Sequence, residues 1–416
     1  MAGGEGNGGR RLLAGAVGAA LLAGIGIGLH LRAPSAPEAI EDEPAGARAP
    51  STPAVQAGGQ ASAAAPEPAD DSAQDAASAE GWIDQRAEIY HGIPTRIRFR
   101  MPPDRATEAN ATADAAWAEF RRVGATFNAF DPASEVGQFN ADQGREIRAI
   151  SGGFSTLLDL SRAAWTLTGG AFDPTVWPVK TLWRRAAERG VLPTDAEIEA
   201  ARLPVGMDRL TLVRRNVLAR RPAAGTGGPS LVHRAMAGVM LDFGGIVKGH
   251  AVDRVADLLR AAGATDWLVQ CGGEIAAHGL GPSGRAWRIG VRHPLVSDGI
   301  WGSLSRDGDL AVSTSGNYEQ PVRIGDREFH HIVDPRTGRP VASPVLGVTV
   351  AVLDGPDRNA RADAVATGLT VMGLEAGRAL VESRPELAAL FIVQGADGKP
   401  TGVATSRMQP MYREGR

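Results

Sequence analysis

In Ala362-Asp363-Ala364-Val365-Ala366-Thr367 a carboxylate and a hydroxyl stand four positions apart. On a helix that spacing turns Asp363 and Thr367 to the same side. Two oxygens converging there suit a hard cation such as Mg²⁺, which keeps waters or phosphate oxygens as its other ligands. The pair also has a structural use: Asp363 as a first-turn partner of the helix dipole, Thr367 as a hydroxyl bonded back to its own helix. Upstream, Leu241-Asp242-Phe243-Gly244-Gly245-Ile246-Val247-Lys248-Gly249-His250 runs from a strand-like segment through a Gly-Gly turn into a helical pattern. A glycine turn at a helix N-terminus leaves N–H groups unpaired at the positive end of the dipole, and Lys248 adds a full charge. An anion such as a pyrophosphate would be held there. The spacings of a P-loop and of a dinucleotide-binding fingerprint are both absent.

His330-His331-Ile332-Val333-Asp334-Pro335-Arg336-Thr337-Gly338 reads as a strand entering an Asp-Pro turn. An imidazole at such a strand end is a candidate base or phosphate ligand, although a histidine also serves as an ordinary structural residue. Gly169-Gly170-Ala171-Phe172-Asp173-Pro174-Thr175 joins a helix end to a turn. Its glycines suit a helix C-terminus and its Asp-Pro pair suits an N-cap with the first helical position; the alternative use is a backbone loop approaching a flat ligand. Ser313-Thr314-Ser315-Gly316-Asn317-Tyr318 is a strand followed by a hydroxyl-rich turn. Cys271, the single cysteine, ends a buried-looking strand with no evident base, so it is not a candidate nucleophile.

These segments need elements to position them. Apolar periodicity predicts a strand at Ile89–Arg100 and a helix at Thr107–Phe127, whose stripe is Ala113, Trp117, Phe120, Val123 and Phe127. Further helices are predicted at Phe154–Thr168, Lys180–Arg189, Asp195–Arg202, Val247–Ala262 and Ala362–Gly373, with Gly263 as the residue that ends the fourth. Strands are predicted at Leu210–Arg214, Val239–Asp242, Trp267–Gln270, Trp287–Arg292, Leu310–Thr314, His330–Val333, Val345–Leu353 and Ala389–Val393. The mixture implies an α+β fold of mostly antiparallel sheets flanked by helices, spanning residues 81–416.

The chain of 416 residues is long enough for a large core, and its net charge of −3 is spread without a basic stripe, which excludes a nucleic-acid partner. One cysteine excludes intrachain disulfides and Cys-rich metal clusters. Arg10-Arg11 precedes an apolar run from Leu12 to Leu31, so residues 1–32 read as a signal peptide or an N-terminal membrane anchor. Export follows from either. Residues 33–80 are Ala, Pro, Ser, Gly and acidic residues that cannot bury enough surface to order themselves, and they read as a disordered linker with a reach on the order of 150 Å.

Taken in order, Gly-Ala-Phe-Asp-Pro-Thr, Leu-Asp-Phe-Gly-Gly-Ile-Val-Lys-Gly, Cys-Gly-Gly-Glu-Ile, Ser-Thr-Ser-Gly-Asn-Tyr, His-Ile-Val-Asp-Pro-Arg-Thr-Gly and Ala-Asp-Ala-Val-Ala-Thr make residues 89–393 resemble the ApbE family of FAD:protein FMN transferases. Phe130-Asp131-Pro132 with Ser134, Glu135, Phe139 and Asn140 resembles the family's early Ser-to-Asn segment. His91-Gly92-Ile93 stands where the family usually has Met-Gly-Thr, and His250 where a tyrosine is common.

The resemblance implies that Ala171, Phe172, Asp173, Asp242, Lys248, His331 and Ile332 contact FAD, with Lys248 near its pyrophosphate. It implies Mg²⁺, or Mn²⁺, on Asp363, Thr367 and the Gly245 carbonyl. It makes His331, with Asp363, the catalytic pair: His331 deprotonates a threonine or serine of an acceptor protein, and that hydroxyl attacks the FMN phosphorus while AMP leaves. Family members are typically exported and modify membrane redox subunits, which implies a periplasmic or inner-membrane-anchored enzyme. Two alternatives share the site: an FAD pyrophosphatase that uses water as acceptor, and a flavin carrier without turnover.

Overall fold

Period-two alternation of large apolar residues builds the main sheet, because successive strand side chains leave opposite faces. The computed structural model describes residues 81–415 except His91 and residues 145–146, 215–229 and 317–321. The leader, the linker, His91, Asn317 and Tyr318 lie outside the described residues. Among those described, eight strands form one antiparallel sheet: β1 (Trp82–Ile89), β2 (Ile93–Arg100), β3 (Asp266–Cys271), β4 (Glu274–His278), β5 (Leu310–Gly316), β6 (Val345–Val352), β7 (Leu387–Gln394) and β8 (Pro400–Ala404). Their order across the sheet is their order along the chain.

In β3, Trp267, Val269 and Cys271 face a helical layer, whereas Leu268 points to the other side and packs with Trp287, Ile289, Val291 and Leu304 of a small three-stranded sheet. In β6, Val348, Val350 and Val352 face helices, yet Leu346, of the same parity, faces away. A register shift between Val345 and Gly347 accounts for the reversal, since one inserted residue flips the side chains that follow. The helices are α1 (Ala106–Phe127), α2 (Glu135–Ala141), α3 (Gly152–Leu167), α4 (Trp177–Arg189), α5 (Asp195–Arg202), α6 (Val247–Ala261), α7 (Arg358–Met372) and α8 (Leu374–Glu382), of which α4 and α5 pack apart from the sheet with Ile324 and Val333. The α+β expectation stands, and Gly263, at φ 80°, ends α6 as predicted.

Three local expectations need correction. The single strand over Ile89–Arg100 is the second half of a hairpin: Ile89 pairs with Ile93, and Tyr90 at φ 49° with Gly92 at φ 97° makes the turn. Val239–Asp242 is extended but joins no sheet, touching Val176 through one parallel bridge at Met240. A side chain takes the place of a strand partner there: Asn140 Nδ2 donates to Leu241 O at 2.8 Å and Asn140 Oδ1 accepts from Leu241 N at 2.7 Å. The early Ser-to-Asn segment is thus a scaffold, with Ser134 capping α2 through Gly137 N at 2.8 Å. His330–Val333 is broken as a strand, because Ile332 N donates to His330 Nδ1 at 2.9 Å and turns the backbone between Arg327–Phe329 and Val333–Asp334.

Candidate active site

Ala171, Phe172, Asp173, Asp242, Gly245, Lys248, His331, Ile332, Asp363 and Thr367 all line one cleft of about 1490 Å³. That volume accommodates a ligand larger than a mononucleotide. One wall is made by α6 and α7. Asp363 is 1% exposed; its Oδ2 accepts from Gly249 N at 3.1 Å, and its Oδ1 lies 3.7 Å from Lys248 Nζ. Lys248 Nζ also donates to Gly244 O at 3.2 Å and stands 3.4 Å from Glu274 Oε1. Burial raises the Asp363 carboxyl and outweighs the pull of Lys248 and the Gly249 N–H, leaving it above the usual carboxylate range. Asp363 is not the first-turn dipole partner of its own helix, since α7 begins at Arg358; it serves the N-terminus of α6 instead.

Thr367 follows one turn later, with Oγ1 3.3 Å from Ser315 Oγ. A Cβ on Gly245 would come within 3.0 Å of Thr367 Oγ1 and 3.3 Å of Phe172, so the glycine lets the turn's main chain reach that hydroxyl. Among the described residues no three Asp, Glu, His or Cys side chains converge as a metal cage. The oxygens offered are the Asp363 carboxylate, the Thr367 hydroxyl and the Gly245 main chain. An incomplete set of hard oxygens fits Mg²⁺, which completes its shell with water or phosphate.

The loop after α3 brings Phe172 and Asp173 to the cleft through left-handed Gly169 and Gly170 at φ 59° and 81°. Asp173 does not cap α4, whose N-cap is Val176. Its carboxylate turns inward, accepting from Thr175 N at 2.8 Å, Thr175 Oγ1 at 2.5 Å and Met207 N at 3.2 Å. Burial pushes Asp173 up to about 6 against those bonds. The segment thus lines the cleft with Ala171, Phe172 and Asp173, and the Asp173 carboxylate also holds the loop.

Another part of the cleft wall carries His330 and His331, stacked with centroids 5.1 Å apart. His331 Nδ1 is buried without a hydrogen-bond partner. Burial, then His330, Lys180 and Lys248, depress its pKa to about 3, so the imidazole is neutral with a lone pair to offer. Asp242 pairs with Lys180 of α4, a short contact, and accepts from Gly244 N at 2.8 Å. Burial works to raise Asp242, but the Lys180 ammonium and these bonds outweigh it and hold the carboxyl below its usual range. Cys271 is buried, and burial raises its thiol to about 12.

The sequence pattern of the ApbE family matches residues 92–391. This chain belongs to the ApbE family. It is similar to the FAD:protein FMN transferase of Vibrio cholerae, 35% identical over 268 residues that span 64% of this chain and 74% of the relative. The FAD:protein FMN transferase of Treponema pallidum is 29% identical over 316 residues, 74% of this chain and 83% of that one. Among solved structures, the flavin transferase ApbE from Vibrio cholerae matches with a TM-score of 0.64 at 30% identity, covering 79% of this chain and 99% of its own. The apo flavinyl transferase ApbE of Pseudomonas stutzeri matches at 0.65 and 25% identity, covering 80% and 98%.

Lys180 and Tyr90 are among the residues of this ApbE chain that line the cleft without having been singled out from sequence. No local pattern marks Lys180, because its partner Asp242 lies 62 residues away. The Tyr90 hydroxyl donates to Phe120 O at 2.7 Å, and its ring packs so closely on α1 that a Cβ at Gly124 would lie 2.4 Å from Tyr90 Cε1. A left-handed, non-glycine residue at a cleft edge is the kind of strain that surrounding structure must hold in place.

Proposed function

We propose that this protein is an FAD:protein FMN transferase that moves FMN from FAD onto a threonine or serine hydroxyl of a partner protein and releases AMP. The observation that carries this reading is the convergence, in one cleft, of a neutral unpartnered His331, the Lys248 and Lys180 ammonium groups, and the Asp363–Thr367 oxygen pair. Similarity to proteins named for that activity supports it.

The chemistry balances as a phosphoryl transfer. The acceptor oxygen forms a bond to the FMN phosphorus, the bond from that phosphorus to the AMP oxygen breaks, and the hydroxyl proton passes to His331. Lys248 and Lys180 hold the diphosphate, and the Phe172 loop orients the nucleotide. A bound Mg²⁺, or Mn²⁺ in its place, would be held by Asp363, Thr367 and Gly245 and would neutralise charge on the diphosphate. In the free protein burial, then His330 and the two lysines, keep His331 weakly basic. A diphosphate that neutralises the lysines would relieve their part of that depression.

The reading includes export: residues 1–32 direct or anchor the protein, residues 33–80 tether residues 81–416, and the acceptor is a redox subunit at the outer face of the inner membrane. The Arg10-Arg11 pair before the Leu12–Leu31 apolar run supports this part. Among the described residues no helix is long and apolar enough to cross a membrane. Incubation with FAD, Mg²⁺ and a threonine-containing acceptor peptide, followed by mass spectrometry, tests the activity. A mass gain of one FMN phosphoester is expected; free FMN and AMP beside an unmodified peptide would indicate hydrolysis, and intact FAD a carrier.

A further inference from the structure

The N-termini of α6 and α7 meet backbone to backbone. A Cβ at Gly249 would lie 2.2 Å from Asn359 O and 2.8 Å from Ala360 N, which leaves no room for a larger residue at the crossing. A helix start leaves its first N–H groups without intrahelical partners, and usually a side chain at the N-cap accepts from one of them. Neither helix has such a cap: Ile246 and Asp357 occupy those positions without a capping bond.

Each helix is capped by the other. Asp363 of α7 accepts from Gly249 N of α6 at 3.1 Å. Asp253 of α6 accepts from Asn359 N and Asn359 Nδ2, both at 3.0 Å, and from Ala360 N at 2.8 Å. Asp253 and Asn359 are buried. Each carboxylate also sits at the positive end of the partner helix's dipole, where a negative charge is favoured. The chain enters α7 through left-handed Asp357, at φ 51°, a conformation that the anchorage downstream must hold.

This reciprocal arrangement has a consequence for the cleft. Lys248 is carried by α6 and Asp363 and Thr367 by α7, so the axial and rotational fit of the two helices decides how those groups face one another. Three short bonds to one buried carboxylate fix that fit. We propose that Asp253 is a positioning residue: by capping α7 from α6 it sets where Asp363 and Thr367 stand, and so how tightly the cleft holds its divalent cation with FAD. Asp253 itself touches neither ligand. The inference rests on the reading of Asp363 and Thr367 as cation ligands.

The test is the Mg²⁺ concentration that half-saturates the rise in Tm of the full chain in the presence of FAD. It is measured for the native protein, Asp253→Ala, the milder Asn359→Ala, and Ser151→Ala as a control. Ser151 caps α3 by accepting from Phe154 N at 3.2 Å, outside the cleft. Asp253→Ala is expected to raise the half-saturating Mg²⁺ about tenfold, the scale of losing an outer support of a metal ligand. Asn359→Ala is expected to raise it by a smaller factor, and Ser151→Ala to lower Tm with no change in half-saturation. If Asp253→Ala does not fold, Asn359→Ala carries the test. Unchanged half-saturation in the α6–α7 variants, with Tm lowered as in Ser151→Ala, would overturn the proposal and leave a purely structural clasp. A native protein whose Tm with FAD ignores Mg²⁺ would remove the cation reading and this inference together.

Discussion

Two parts of the cleft wall are built on different principles. On the α6–α7 side every functional group has a partner from regular structure: Asp363 is fixed by Gly249 N, Lys248 by Gly244 O and two carboxylates, and Thr367 by Ser315. In the other part His331 sits in a stretch between two short strand pairs, held by burial and by its stack on His330, with Nδ1 unpaired. Under the proposed function the difference matches what each wall would do. A cation and a diphosphate need fixed charges, whose worth depends on not having to reorganise, whereas a base must keep a lone pair free until an acceptor arrives.

The sharpest way to break that contrast is at Asp363. Asp363→Ala is expected to cost about a thousandfold or more in Mg²⁺-dependent FMN transfer, the upper scale for removing a main electrostatic stabiliser. Turnover equal to the native protein in a Mg²⁺ titration would take Asp363 out of the mechanism. His331→Ala should reduce transfer by about a hundredfold to ten-thousandfold while leaving the Kd for FAD, read by flavin fluorescence, nearly unchanged. A parallel loss of FAD affinity would show that this wall binds rather than reacts.

Acid should loosen the rigid wall through His250, which lies on α6 edge-on to Phe127 at 6.1 Å. Burial depresses its pKa to about 4 from an ordinary 6.5. A group lowered in the folded state stabilises fully above its unfolded value. His250 therefore withdraws up to ~3 kcal/mol as pH falls from 6.5 towards 4. Asp173 and Asp253, raised by burial to about 6, act in the opposite sense, since protonation favours their folded forms over the same range. His250→Phe should remove the His250 share of this response, so that urea midpoints shift towards greater stability at the acid end relative to the native protein; an unaltered slope would mean that His250 does not titrate with unfolding. The smallest effect is expected at Tyr90. Tyr90→Phe removes the bond to Phe120 O and should cost about 1 kcal/mol in chemical denaturation, with a modest rise in KM for FAD. A change in neither would show that ring packing on Gly124 suffices to seat the hairpin.

Much of this architecture is written locally. Asp195–Arg202 and Leu210–Arg214 form over the residues their patterns predict, and the helix predicted from Val247 starts there, because periodicity, caps and turn residues act over a few positions. The motif residues were legible as candidates, since a glycine turn before a lysine, or a carboxylate four before a hydroxyl, has both a structural and a chemical use, and the resemblance to the family chose between them. Pairing across the chain was not. Nothing near Leu241 announces that Asn140, 101 residues earlier, will stand in for a strand, and nothing near Asp253 announces Asn359, 106 residues on. Three outcomes were decided by the tertiary structure: the Asp173 carboxylate holds its own loop through Thr175 and Met207, Lys180 claims Asp242, and Asp363 caps α6 rather than its own helix. These depend on which buried donors and acceptors remain to be satisfied once the layers have closed, a condition that exists only in the assembled fold.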